Sequence, residues 1–403
     1  MTFTPRPYQI DLSTKASEIL KAKKIVVLCF EVRTGKTFIS LMTCQKMQYN
    51  NVLFVTKKKA IPSIEKDYNT LNPTFKLHVT NFESAHKIDG SFDCVIVDES
   101  HSIGAIPKPS LRTKILKQIV KNDLILMSGT LTPENYSQIF HQLWISKYSP
   151  FIETNFYKWA KNYVNVKQRH LAHGIVNDYS DAIQSKIEPL IKPLMLTFTQ
   201  LEAGFESQVT EKVLHVEMKP TTYQLINKLK KDLVLKSKEG NVVLADTAVK
   251  LMQKLHQMYS GSVLFEDGAF KIFDNTKAIF IRDHFKDKRL GIFYKFKAEL
   301  QSLKDVFESD LCTDVETFNN GTKHIALQIV STEGVNLSQA DALVYYNIDF
   351  SAKNYFQSRD RLNSINRKEN LVYWIFSARG LEDKIYERVM NKKSFTLDVF
   401  KKL

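Results

Sequence analysis

The sequence predicts an α/β protein built on parallel sheets, and three observations predict it. Short β-branched runs alternate with amphipathic stretches through the first third of the chain. The same alternation returns in the last third. A Gly-Lys-Thr turn joins the first of these runs to a helical pattern. Short continuous apolar runs flanked by helices are the pattern of strands buried on both faces of a parallel sheet.

Taken in order, the strand candidates of the first part are Ile25 to Phe30, Val52 to Val55, Val95 to Val97 and Leu124 to Met127, with a helix expected from Thr37. From about Asn135 to Leu196 strand signals fade, and aromatic residues recur at helical spacing (Phe140, Leu143, Trp144; Phe156, Trp159, Tyr163). That stretch reads as a mostly helical linker or insertion. An amphipathic helix follows, capped by Thr221 or Thr222, with Leu225, Ile226, Leu229 and Leu233 on one stripe. Strand signals resume at Leu290 to Phe293, His324 to Ile329, Ala342 to Tyr346 and Leu371 to Phe376, so a second α/β unit is expected in the C-terminal part.

A chain of 403 residues is long enough for two or three domains, and 43% apolar with 25% charged residues is ordinary globular usage. The 57 Lys and Arg against 43 Asp and Glu leave a net charge of +14, which favours a polyanionic partner and makes nucleic acid the first suspect. The four cysteines, Cys29, Cys44, Cys94 and Cys312, include no C-x-x-C pair, so neither a zinc knuckle nor a disulfide framework is suggested. No apolar run approaches the ~20 residues of a membrane helix, and no apolar signal core follows Met1; a cytoplasmic protein without a membrane partner is expected.

Two motifs carry chemistry. The run Ile25 to Phe30 leads into Glu31-Val32-Arg33-Thr34-Gly35-Lys36-Thr37 and a helix. A strand, a turn with Gly-Lys-Thr and a helix form a phosphate-binding loop: backbone amides cradle phosphate, the lysine reaches its outer oxygens, and the threonine hydroxyl binds Mg²⁺. The first glycine of the usual G-x-x-x-x-G-K-T pattern is replaced by Phe30. Downstream, Val95 to Val97 ends in Asp98-Glu99-Ser100-His101. An acidic pair at the end of a buried strand suits a Mg²⁺ ligand, Asp98, beside a base that orients water, Glu99. Order and spacing together point to a nucleotide hydrolase.

With these residues in place the chain resembles helicase superfamily 2, and its C-terminal motifs resemble the Swi/Snf-like branch. Ser128-Gly129-Thr130-Leu131-Thr132-Pro133 is similar to the motif that couples nucleotide state to nucleic acid. Arg6-Pro7-Tyr8-Gln9 is similar to the adenine-reading element. Thr56-Lys57 and Thr80-Asn81-Phe82-Glu83 stand where the family's strand-contacting motifs stand. Leu290 to Phe296, Ser331-Thr332-Glu333-Gly334-Val335-Asn336-Leu337, the strand ending at Asp349, and Gln357-Ser358-Arg359-Asp360-Arg361 resemble its later motifs. The pattern departs where Ser364 replaces the second arginine; Arg361 keeps the first place, with Arg359 or Arg367 as nearby cations.

The resemblance implies two tandem RecA-like lobes, residues 1–200 and 210–403, with largely helical material from about Asn135 to Ser260. It implies a nucleotide site of Arg6, Gln9, Arg33, Thr34, Gly35, Lys36, Thr37, Asp98, Gly334, Asn336 and Arg359. Lys36, Glu99, Gln357 and Arg361 would be catalytic, and Thr37 and Asp98 would hold Mg²⁺. Thr56, Lys57, Thr80, Asn81, Ser331 and Thr332 would touch nucleic acid. The implied activity is ATP-dependent translocation on, unwinding of or remodelling of duplex, single-stranded or branched DNA by a monomer. The compact length resembles small bacteriophage helicases, some of which migrate branched DNA, which would place the chain in a host cytoplasm. A nucleic-acid-binding scaffold with a degenerate ATPase site and an RNA helicase are the alternatives.

Overall fold

The computed structural model describes residues 4–129, 131–133, 135–171, 174–204, 208–237, 240–331, 335–350, 355, 358–359, 362 and 369–390. The chain divides into two compact units, Met1–Gly204 and Phe205–Leu403.

The first unit is a six-stranded parallel sheet in the order β3-β2-β4-β5-β1-β8. Its strands are β1 (Ile25–Phe30), β2 (Asn51–Thr56), β3 (Lys76–Asn81), β4 (Cys94–Val97), β5 (Asp123–Met127) and β8 (Met195–Phe198). Helices α1 (Pro7–Lys23), α2 (Lys36–Lys46), α3 (Ile61–Leu71), α4 (Leu111–Ile119), α5 (Ile139–Trp144), α6 (Phe156–Tyr163) and α7 (Gln184–Ile191) connect and cover them. β4 and β5 are buried at every residue, and β1 at all but Cys29, which is why they read as unbroken apolar runs. Local signals set the helix ends. Pro7 opens α1 at a position where no amide is needed, and Ser110 and Asn155 cap α4 and α6 by accepting from Thr113 N and Lys158 N.

The second unit repeats the plan with the order β15-β16-β14-β17-β18-β9. These strands are β9 (Gln208–Val216), β14 (Leu290–Tyr294), β15 (Leu311–Cys312), β16 (His324–Gln328), β17 (Ala342–Tyr345) and β18 (Glu369–Ser377). Helices α8 (Pro220–Asp232), α9 (Ala248–Tyr259), α10 (Thr276–His284), α11 (Lys297–Phe307), α12 (Val315–Asn320) and α13 (Glu382–Met390) accompany them. Two parallel α/β sheets in tandem are the RecA-like architecture expected from the sequence. β9, which pairs with β18 along its whole length, was not foreseen: its alternation of Val209, Val213 and Leu214 with Thr, Glu, Lys and His gives a weak apolar signal.

Between Asn135 and Ser260 the structure holds the expected helices α5 to α9 together with the sheet strands β8 and β9 and two antiparallel hairpins. These are β6 (Lys167–Leu171) with β7 (Gly174–Asp178), and β10 (Val234–Lys236) with β11 (Val242–Leu244); a third, β12 (Ser262–Leu264) with β13 (Phe270–Ile272), follows. The start of α8 also differs from expectation. Lys219 stands at its N-cap and Pro220 opens it, while the Thr222 hydroxyl is buried and donates to Asp274 Oδ2 at 2.6 Å. Its buried face runs through Thr222, Tyr223, Ile226 and Leu229, leaving Leu225 and Leu233 exposed. Among the described residues no helix is long and apolar enough to cross a membrane.

Candidate functional site

Strand register gathers the site. Val27 pairs with Leu126, Leu126 with Val97, and Val97 with Val55, so β1, β5, β4 and β2 end together at one sheet edge. The residues that follow, Glu31 to Gly35, Ser128, Asp98 and Thr56, emerge side by side there. This is the carboxyl edge, where an open parallel sheet places ligands.

The loop between β1 and α2 is held from within. Thr34 is fully buried and its hydroxyl donates to Glu31 O at 2.8 Å, so its side chain braces the turn and is not offered to a ligand as expected. Gly35, with φ +82°, caps α2; a Cβ there would be strained and would stand 2.4 Å from Gln9 Nε2. Arg33 holds the left-handed region with φ +65°. Lys36 Nζ donates to Phe30 O at 2.9 Å, and Gly129 lies just beyond it. The amides opening α2 face the same side, and no side chain caps them.

Gln9 is buried against this loop. Its Oε1 accepts from Arg6 N at 2.9 Å, while Arg6 itself is exposed and reaches Tyr8 OH at 3.3 Å. Tyr8 stacks on Phe198, 4.9 Å between centroids, and Phe198 meets Phe30 edge-on at 6.0 Å. Phe30, standing where a glycine was expected, therefore sends its ring into the core and only its carbonyl into the loop.

Asp98 Oδ2 accepts from Thr56 Oγ1 at 2.9 Å, and Oδ1 from Glu99 N at 3.0 Å. Burial and the neighbouring Glu99 carboxylate push Asp98 up to about 6, against the opposing pull of Lys36 and of the Thr56 hydroxyl. Glu99 sits at φ +49°; its Oε2 is buried, has no hydrogen-bond partner among the described residues and lies 3.3 Å from His101 Nδ1. That ring nitrogen also meets Ser128 Oγ at 3.0 Å, linking the acidic loop to the end of β5. Gln142 of α5 closes the back: it accepts from Ser100 Oγ at 2.8 Å and donates to Leu131 O at 2.7 Å. No local pattern announces Gln142, which lies in a segment read as a mostly helical linker or insertion.

Two residues expected at nucleic acid are placed elsewhere. Thr56 is 1% exposed and spends its hydroxyl on Asp98; Thr80 is buried in β3. A hydroxyl on the inner side of a strand end serves the next strand. Asn81 is half-buried and accepts from Ser84 N at 2.9 Å, and Lys57 is half-buried beside the exposed Lys58 and Lys59.

In the second unit Arg359, expected at the nucleotide, pairs with Glu211 of β9 at 3.5 Å and lies over the Tyr355 ring. Glu211 also accepts from Tyr355 OH, and from Tyr386 OH at 3.0 Å and Trp374 Nε1 at 3.4 Å, so a carboxylate within an aromatic core fixes this arginine. Asn336 is exposed and its Oδ1 accepts from Ser338 N, the geometry of a turn. The backbone of Ser331 forms part of a short 3₁₀ turn. Thr332, Gly334, Gln357, Arg361, Ser364 and Arg367 lie outside the described residues, as does Thr130.

The first-unit residues fit a magnesium nucleotide. An uncapped helix N-terminus, a lysine parked on a carbonyl and a buried acceptor on Glu99 without a donor are the groups such a ligand would engage. Among the described residues no cluster of three or more His, Cys, Asp and Glu could cage a metal. Mg²⁺ in nucleotide sites needs only one or two protein groups plus phosphate and water, so Thr37 at the start of α2 and Asp98 after β4 would be enough to hold it.

No family model matches the sequence. Over 366 residues the chain is 24% identical to the probable chromatin-remodeling complex ATPase chain of Oryza sativa subsp. japonica, covering 80% of this chain and 32% of that protein. It is 20% identical to the ISWI chromatin-remodeling complex ATPase ISW1 of Saccharomyces cerevisiae, over 81% of this chain and 31% of that one. The chain thus spans about a third of the length of these curated relatives. Among solved structures, the Sulfolobus solfataricus SWI2/SNF2 ATPase core in complex with dsDNA aligns with all of this chain and 93% of that one, at 13% identity and a TM-score of 0.45.

Proposed function

We propose that the chain is a DNA-stimulated ATPase and translocase of the Swi/Snf-like kind. The observation that carries this is the convergence of Lys36, Thr37, Asp98, Glu99, His101 and Ser128 at one sheet edge. The similarity to remodelling ATPases over four fifths of the chain supports it. Lys36 and the first amides of α2 would hold the phosphates, with Gln9 bracing the loop and reading the base. Thr37 and Asp98 would hold the magnesium ion, which when bound neutralises charge on the phosphates. Glu99 Oε2 would take a hydrogen bond from the attacking water and orient it. Arg361 is proposed to supply the remaining positive charge and Gln357 a neutral amide contact, on the resemblance of their motif alone.

The finer reading is movement along duplex or branched DNA, with strand separation or branch migration as its outcome, as in small bacteriophage motors. The net charge of +14 supports binding through phosphates, sequence-independent and steeply salt-sensitive. The test is ATP hydrolysis measured without nucleic acid and with single-stranded DNA, duplex DNA, a four-way junction and RNA. Strong stimulation by DNA, abolished in Lys36→Ala, is expected; Glu99→Gln should bind ATP and barely turn it over. Equal turnover with and without DNA refutes the motor reading, and turnover of Glu99→Gln at the wild-type rate refutes the role given to Glu99.

A further inference from the structure

The phosphate loop has a second brace besides Gln9, and it comes from the end of the same unit. β1 and β8 run in register through Phe30 and Phe198, and the pairing continues one step further, with Glu31 N donating to Phe198 O at 2.9 Å. Gln200 then turns onto the loop. Its backbone N donates to Glu31 Oε2 at 2.7 Å, and its side-chain Nε2 donates to Val32 O at 2.9 Å. The segment that bears Gln200 is itself a closed turn: Thr199 donates to Glu202 Oε2 from both N and Oγ1 at 2.7 Å, and Ala203 N returns to Thr199 O. Gly204, at φ +84°, is the last residue of the first unit.

Gln200 thus grips the loop at Glu31 and Val32, immediately before Arg33, whose left-handed backbone is strained and must be held by its surroundings. We infer that Gln200 is a positioning residue for the phosphate loop, and that nucleotide binding in the loop tightens the turn of residues 199–204 through it. This rests on the nucleotide reading of Lys36 and its loop. The physical reason is that fixing the Glu31–Gly35 backbone on a ligand fixes Val32 O, the acceptor of the Gln200 side chain, and a bond whose acceptor stops moving is made more of the time. The chain's exit from the first unit would therefore respond to the occupancy of a site it does not itself form.

The experiment uses the full chain, a fluorescent ATP analogue for affinity, and hydrogen exchange of residues 31–37 and 198–204 with and without Mg·ADP. In the wild type, nucleotide should protect both segments. Gln200→Ala should bind the analogue about 5- to 10-fold more weakly, the fold-change of one lost hydrogen bond, and should keep the nucleotide-dependent protection at 31–37 while reducing that at 198–204. Gln200→Glu keeps the side chain's size, removes the donor and sets a second carboxylate beside Glu31; it should behave the same way or worse. Protection at 31–37 without any at 198–204 in the wild type overturns the inference, as does unchanged affinity in both variants. Absence of nucleotide binding and of protection at 31–37 in the wild type overturns the nucleotide reading itself, and this inference with it.

Discussion

His141 of α5 is 1% exposed, its Nδ1 lies 2.6 Å from Ala105 O, and its ring stacks on Phe156 at 5.7 Å. Burial pulls its pKa down to about 4 from an ordinary 6.5, outweighing the Ala105 bond, and Lys117 adds to the fall. The sign follows from proton counting. Below pH 6.5 the unfolded chain takes up a proton that the folded chain refuses until about pH 4, so stability is intact above 6.5 and lost as pH falls. Integrated between pH 8 and pH 5, that difference amounts to about 2 kcal/mol for this one ring. The assay is urea unfolding of the wild type and of His141→Gln at both pH values, followed by the fluorescence of Trp144 and Trp159, in a Trp374→Phe background that silences the second unit. At pH 8 the variant should be less stable by about 1–2 kcal/mol, from lost packing. At pH 5 the gap should close by about 2 kcal/mol, because only the wild type carries the histidine penalty. Other titrating groups, among them Asp98 with its opposite shift, cancel in the comparison. A gap that stays constant between the two pH values refutes the reasoning.

Thr56→Val should lower DNA-stimulated kcat by about tenfold, the effect of one hydrogen bond to a carboxylate, and leave DNA affinity unchanged; a loss of DNA binding with turnover intact would return Thr56 to the nucleic acid. Arg33→Gly should be more stable than Arg33→Ala by about 1 kcal/mol in thermal unfolding, because both lose the side chain and only glycine is at ease at φ +65°. Lys277→Met should cost about 3–5 kcal/mol, since Lys277 and Glu382 form a 2.9 Å pair buried at both ends and the glutamate would be left uncompensated. The double variant Lys277→Met with Glu382→Gln should regain at least half of that in urea unfolding, and no recovery would show that packing, not charge, sets the loss.

What the sequence makes legible follows from how strands are buried. β1, β4, β5, β14 and β17 lie inside their sheets, so each reads as a continuous apolar run whatever its partners. β3 and β9 are edge strands with one side toward solvent; their polar residues hide the strand, and β9 declares itself only through pairing with β18 from Glu369 to Ser377. The β6–β7, β10–β11 and β12–β13 hairpins are too short to carry a period against a helical background. Helix starts failed where the cap is remote: Asp274 takes Lys219 N and the Thr222 hydroxyl from more than fifty residues away, and no local pattern can announce that.

The site divides along the same line. Residues whose place is set by a strand end or a helix start, Lys36, Asp98 and Glu99, are legible because the motif and the local structure are the same thing. Residues that act by holding another group, Gln142 on the acidic loop and Gln200 on the phosphate loop, are ordinary polar side chains whose meaning comes only from register and distance. Thr56 shows the reverse error, a motif position read as contact because the strand ends there, when its side chain faces the neighbouring strand's carboxylate. Phe30 resolves the one departure that cast doubt on the loop. A glycine is required where backbone adopts positive φ or where a ligand must approach a Cβ, and Phe30 meets neither condition: it is the last residue of β1, paired with Phe198, with its ring in the core. The left-handed residues of this loop are instead Arg33 and Gly35, so the strain that a glycine would relieve lies at Arg33, three positions further on, within the turn that Gln200 holds at Val32 and Gln9 meets at Gly35.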